Sequence, residues 1–156
     1  MTHLEALDKL QRYCTYQERC HREVRSKLLS LKVFGDDLER VIASLIEDDY
    51  LNEERFARAF ARGKHRIKNW GRVRITQELK SRGISSYCIR KAMEEIDDGE
   101  LYDSKLDTII RKYLAIRMNK WPPRQLKQKT IQHAMSKGYE YALVQKAVEQ
   151  LLDLRD

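Results

Sequence analysis

One apolar frame occurs three times along the chain, and no other feature constrains the fold as much. Shifting the frame at 75–96 back by 51 residues sets Val24, Leu28, Val33, Leu38, Val41, Ile42 and Leu45 on Ile75, Leu79, Ile84, Ile89, Ala92, Met93 and Ile96. Shifting it forward by 55 sets Ala134, Gly138, Tyr139, Val144, Ala147, Val148 and Leu151 on Leu79, Gly83, Ile84, Ile89, Ala92, Met93 and Ile96. Steps of three and four residues within each copy place these side chains on helix faces. One such copy cannot hide its own apolar face, so neighbouring copies stack. The expected fold is all-α: a tandem array of three three-helix, helix-turn-helix-like repeats at 1–50, 51–99 and 100–156, forming an elongated, curved molecule.

Composition agrees with helices throughout. Charged residues make up 35% of the 156, and six Gly with two Pro are too few for a strand-and-turn architecture. A chain of this length buries roughly two thirds of its surface, enough for a real core. It holds no apolar run of about 18 residues, and its first residues, Met-Thr-His-Leu-Glu-Ala-Leu-Asp, lack the apolar core of a signal peptide. A cytoplasmic protein without a membrane partner is expected. Cys14, Cys20 and Cys88 are odd in number and read as reduced thiols.

Boundary chemistry divides each repeat into helices. In the first they are expected at 3–13, 18–31 and 36–47, the last with Asp36 and Glu39 as a capping box. In the second, Asn52 suits an N-cap, with Glu53 and Glu54 in the positive first turn. Phe56, Ala57, Phe60, Ala61 and Ile67 then form the apolar side of that helix. Gly71 breaks it, Ile75 and Leu79 pack the next helix, Gly83 ends that one, and Ser85 or Ser86 caps a third. The last repeat is expected to hold helices from 103 to 117, from Pro122 or Pro123 onward, and over 140–152.

Charge is concentrated in the centre. Between Asn52 and Arg82 ten Lys or Arg face Glu53, Glu54 and Glu78, a balance of +7 that equals the net charge of the chain. Arg55, Arg58, Arg62 and Arg66 gather on one helix side without an interleaved acid, and such charges repel unless an anion meets them. The expected contact set for a partner or DNA is Arg55, Arg58, Arg62, Lys64, Arg66, Lys68, Trp70, Arg72, Arg74, Lys80 and Arg82. Trp70 either stacks on a base or wedges between helices, whereas Trp121 reads as packing and the eight tyrosines as core rims. The last repeat adds Lys105, Arg111, Lys112, Arg117, Lys120, Arg124, Lys127 and Lys129, which continue the basic charge.

Three-helix units invite a DNA-reading interpretation, with each third helix in a major groove. The residue types oppose it. The third helix of the first repeat is acidic, and Arg90 and Lys91 are offset by Glu94 and Glu95 in the second. Contact with single- or double-stranded DNA is therefore expected through backbone phosphates, with salt-sensitive affinity. Catalysis has little support: there is no Gly-rich phosphate loop, no His-Glu-x-x-His and no Cys-x-x-Cys. His3, His21, His65 and His133 lack ligand spacing, so neither metal nor cofactor is expected, and a hydrolase would have to be shown by turnover of the purified chain.

These residues resemble the RecX family of bacterial regulators of the RecA recombinase. The likeness rests on Asn52-Glu53-Glu54-Arg55-Phe56-Ala57, Gly71, Arg74-Ile75, Glu78-Leu79 and Arg82-Gly83-Ile84, with Cys20-His21-Arg22-Glu23-Val24 and Lys27-Leu28 in the first repeat. It departs where the usual Ser is Cys20 and where Val33 stands for a glycine that commonly ends the first repeat's middle helix. The resemblance implies a protein that binds the RecA filament, along its groove or by blocking its extension; beside it stand the expectations of no enzyme activity and of a monomer when free. It implies damping of ATPase, strand exchange and co-protease functions. The runner-up is a DNA-binding regulator of transcription.

Overall fold

The computed structural model describes residues 1–153, over which the chain is helical with no strand. The helices are α1 (His3–Tyr16), α2 (His21–Ser30), α3 (Gly35–Glu47), α4 (Glu53–Lys68), α5 (Arg72–Ser81), α6 (Ser86–Met93), α7 (Gly99–Arg117), α8 (Pro123–Ser136) and α9 (Tyr141–Asp153). The last three residues of the expected third repeat lie outside the described ones. No helix among the described residues is long and apolar enough to cross a membrane.

The repeat is visible in backbone geometry. Middle helices α2, α5 and α8 all end in Ser (30, 81, 136), and the residue two places on is left-handed each time: Lys32 (φ 62°), Gly83 (φ 75°) and Gly138 (φ 97°). Val33 N–H then donates to Leu28 O at 3.0 Å and Ile84 N–H to Leu79 O at 3.2 Å, the bond that closes a Schellman turn. The left-handed position of the first copy is thus Lys32, not Val33. Val33 is buried beside Leu28 as Ile84 is beside Leu79, so the β-branched residue never has to take the strained conformation.

Other boundaries move for identifiable reasons. α1 continues to Tyr16 because Ala6, Leu10 and Cys14 form a buried row at steps of four that outlasts Tyr13. α2 starts at His21, where the Glu23 carboxylate accepts the Cys20 N–H at 3.2 Å. α3 has no capping box: Asp36 and Asp37 lie inside its first turn, and Glu39 turns to Arg25 at 2.6 and 3.1 Å. α7 begins at Gly99, which adds Tyr102 to the buried row Leu106, Ile110 and Leu114. On α4, Ile67 is 77% exposed, and His65 (0%) completes the row Ala57, Ala61, His65 instead.

By compactness the chain forms two units, one of 1–60 with 79–92 and the other of 61–78 with 93–156. We propose the threefold division at 1–50, 51–99 and 100–156 as the unit of repetition; α4 and α5 each give residues to both compact units. In the first unit α1, α2 and α3 pack mutually around Leu10, Val24, Leu28, Leu38, Val41 and Leu45. The Arg22 guanidinium donates to Ser81 O and lies against Gly83. In the second unit α7, α8 and α9 pack mutually, and Arg74 Nη1 donates to Ser136 O at 3.1 Å beside Gly138. One device recurs: an arginine from the first turn of a middle helix reaches the last-turn carbonyl of the next copy's middle helix.

In the second unit the backbones themselves meet. Gly71 N–H donates to Lys137 O at 2.8 Å and Val73 N–H to Gly138 O at 2.9 Å, satisfying α5 amides that no turn of α5 can reach. A Cβ added at Gly71 would overlap the Gly138 carbonyl and stand 2.8 Å from Tyr139 N. Gly63, in mid-α4, has open space instead. Gly71→Ala is therefore expected to lower stability in urea melts by about 1–3 kcal/mol, as overpacking does. Gly63→Ala should raise it by about 0.5–1 kcal/mol through helix propensity.

Candidate functional site

Helix α4 is built to carry its arginines outward. Asn52 Oδ1 caps it by accepting the Arg55 N–H at 2.9 Å, Phe56, Ala57, Ala61 and His65 are buried, and Arg55, Arg58, Arg62 and Arg66 follow at steps of three and four. The expected repulsion is relieved by acids, one within α4 and the others outside it. In the first unit Arg55 pairs with Glu18 at 2.6 Å and Asp49 at 3.0 Å, and Arg58 with Glu54 at 3.0 Å. In the second, Arg62 pairs with Glu95 at 3.2 Å.

The remaining expected residues divide in the same way. Lys80 is exposed, and Arg82 lies over the Phe60 ring at 4.7 Å, both in the first unit. In the second unit Arg66 and Lys68 are exposed, with no carboxylate of the described residues at ion-pair distance. Lys64 and Arg74 flank Trp70, at 5.0 and 4.0 Å from its ring. Trp70 is half-buried between cations.

Arg72 holds a network that sequence reasoning missed. Its guanidinium lies 3.8 Å over the Tyr102 ring and pairs with Glu140 at 2.8 Å, while its backbone N–H donates to Tyr102 Oη at 3.1 Å. Tyr102 O–H donates to Glu140 Oε1 at 2.5 Å, and Tyr139 O–H to Asn69 O at 3.1 Å. Tyr102 and Tyr139 are each 1% exposed with rings 5.0 Å apart, so they are core residues and not rims. Burial and then the Glu140 hydrogen bond push the Tyr102 phenol up; burial does the same at Tyr139. The overlooked signal was a polar residue, His65, at the next step of four along α4's apolar row.

His65 is the buried titratable group of this network. Its Nδ1–H donates to Trp70 O at 2.9 Å, its ring stacks 5.9 Å from Tyr102, and Nε2 stands 3.4 Å from Asp97 without a hydrogen bond. Lys105 Nζ donates to His65 O at 2.6 Å. Burial lowers the imidazole's pKa; the Lys105 charge adds to this, while the Trp70 carbonyl and Asp97 oppose it. Among the described residues no three His, Cys, Asp or Glu are grouped to hold a metal ion.

Residues 52–93, which span α4, α5 and α6, match the family model for the second three-helix domain of RecX. The chain is 24% identical over 139 residues to the regulatory protein RecX of Streptococcus gordonii, covering 89% of this chain and 52% of that one. It is 28% identical over 139 residues to that of Streptococcus pneumoniae strain Hungary19A-6, with the same coverage. The crystal structure of RecX from Lactobacillus salivarius superposes with a TM-score of 0.81 at 28% identity, over 97% of both chains. Over 52–93 the chain carries the second three-helix domain of the RecX family. It spans about half the length of the streptococcal RecX proteins it matches. The RecX model falls on the helices that carry the central basic residues, and the all-helical fold is that of a solved RecX structure.

A pH dependence follows from His65. Its folded pKa lies below the ordinary 6.5, so between the two values the unfolded chain binds more protons and stability rises with pH. The contribution is complete above about 6.5 and is lost as pH falls toward the folded value, at a slope of at most about 1.4 kcal/mol per pH unit. Urea melts of His65→Gln are expected to show a shallower loss from pH 7 to 5 than the parent. His133, lowered by burial and by Lys137 and Arg117, retains its own share. An unchanged slope in His65→Gln would contradict the assignment.

Proposed function

We infer that the chain is a regulatory protein that binds the RecA filament on DNA and damps its ATPase, strand-exchange and co-protease activities. What carries this reading is the coincidence of the RecX family match, 52–93, with the ten basic residues between Asn52 and Arg82. A filament of protein on DNA presents phosphates and acidic side chains, and a cationic surface is drawn to both. Arg66 and Lys68 are the strongest candidates for direct contact, because their charges are exposed and not already neutralised. Arg55, Arg58 and Arg62 meet a partner only by sharing or exchanging carboxylates, an exchange that costs little because exposed pairs contribute about 0–1 kcal/mol. Arg72 and Arg74 contribute from behind, by holding the start of α5.

The test is the single-stranded-DNA-dependent ATPase rate of RecA as the chain is titrated in. Inhibition well below one copy per RecA protomer is expected, consistent with capping or groove binding. The Arg66→Glu/Lys68→Glu double variant should need at least about tenfold more protein, a shift of about 1.4 kcal/mol. The corresponding double Ala variant controls for charge reversal at a helix C-terminus. A helical double variant that inhibits as well as the parent would refute the site, and no inhibition by the parent would refute the function.

A further inference from the structure

A second group of positive charges without carboxylate partners among the described residues lies outside α4. From 108 to 139 there is no Asp or Glu, and eight Lys or Arg occur. This run covers the second half of α7, the turn after it and all of α8. Lys127 reaches Glu149 at 3.3 Å and Arg111 reaches Asp107 at 2.7 Å, but among the described residues no carboxylate pairs with Arg117, Lys120, Arg124 or Lys129. Three of the four neighbour rings. Arg117 lies 4.2 Å over Tyr113, whose ring stacks 4.4 Å from His133 at 22°, and Lys120 and Lys129 lie 5.1 and 6.0 Å from Trp121.

The same surface offers amide side chains. Arg124, Gln125, Gln128, Lys129 and Gln132 are all exposed and share one side of α8. Unpaired cations, ring faces and neutral donor-acceptor groups together suit a chain of phosphates with unpaired bases: cations take the backbone, rings take base faces and amides take base edges. An acidic peptide would use the cations but not the half-buried rings. A lipid surface would need a broad apolar face, whereas the large exposed apolar side chains of this run are Ile116 and Met135.

We propose that the α7–α8 surface binds single-stranded nucleic acid, with Trp121 as the stacking platform and Arg117, Lys120, Arg124 and Lys129 as phosphate contacts. The site is separate from the α4 residues assigned to the filament and does not depend on that assignment. Each cation lost should also lower the salt slope of binding by about 0.7.

The test is fluorescence titration of the whole chain, without RecA, with a single-stranded oligonucleotide, a duplex of equal length and phosphatidylglycerol vesicles. Tryptophan emission should be quenched by the single strand, and the quench should persist in Trp70→Phe and vanish in Trp121→Phe. Affinity read by anisotropy of a labelled strand should fall at least about tenfold in Trp121→Ala, within the range for loss of one stacked base. Lys120→Glu/Lys129→Glu should weaken binding similarly and flatten the salt slope. Preference for duplex or vesicles, unchanged affinity in these variants when circular dichroism shows them folded, or no binding by the parent would overturn the proposal. A RecA ATPase result, positive or negative, leaves it standing.

Discussion

The start of α5 depends on groups that α5 does not own. The first amides of any helix lack partners inside it, and a buried amide without one costs about 1–3 kcal/mol. Here the Gly71 and Val73 amides donate to the α8–α9 turn, and the Arg72 amide to Tyr102 on α7. Two glycines make the approach possible, because a Cβ on either would meet the other backbone, at Gly138 against Arg74 and at Gly71 against Gly138. Side chains then close over the contact: Arg74 takes Ser136 O, Arg72 takes Glu140, and Tyr139 takes Asn69 O. In the first unit the Arg22–Ser81 contact beside Gly83 repeats part of the arrangement, with a side chain bridging the gap.

Such docking determines which charges face solvent. An arginine that bonds a helix-end carbonyl or a half-buried carboxylate is held in place and gives up part of its field, as Arg72 does between Tyr102 and Glu140. Arg66 and Lys68 have no such obligation, nor do Lys120 and Lys129 on the other surface. The fold rests on the first group, and the proposed contacts with a partner draw on the second. Both come from the same residue type, so composition alone cannot separate them.

The apolar frame was legible because helical spacing is local: residues that repeat Ile75, Leu79, Ile84 and Ile89 are buried in all three copies. Helix ends were legible where the cap is a local side chain, as at Asn52, or Ser85, whose Oγ accepts the Cys88 N–H at 3.2 Å. What was missed is non-local. Glu18, Asp49 and Glu95 reach the α4 arginines across the sequence, so a stripe that reads as unpaired is partly neutralised. His65 displaces Ile67 from the core because its imidazole finds the Trp70 carbonyl and the Tyr102 ring, neither of which periodicity weighs. Lys32 adopts the left-handed turn without being glycine, since the Schellman bonds on either side hold the backbone there.

Native-state hydrogen exchange of the Gly71 and Val73 amides tests directly whether α5 is held at its start by the α8–α9 turn. As acceptor-bound amides at a glycine-to-glycine contact, they should exchange as slowly as the Ile75 amide, which bonds Gly71 O at 3.2 Å inside the helix. Exchange near the open-chain rate at Gly71 and Val73, with Ile75 still protected, would mean that the helix end is solvated and not docked on the α8–α9 turn.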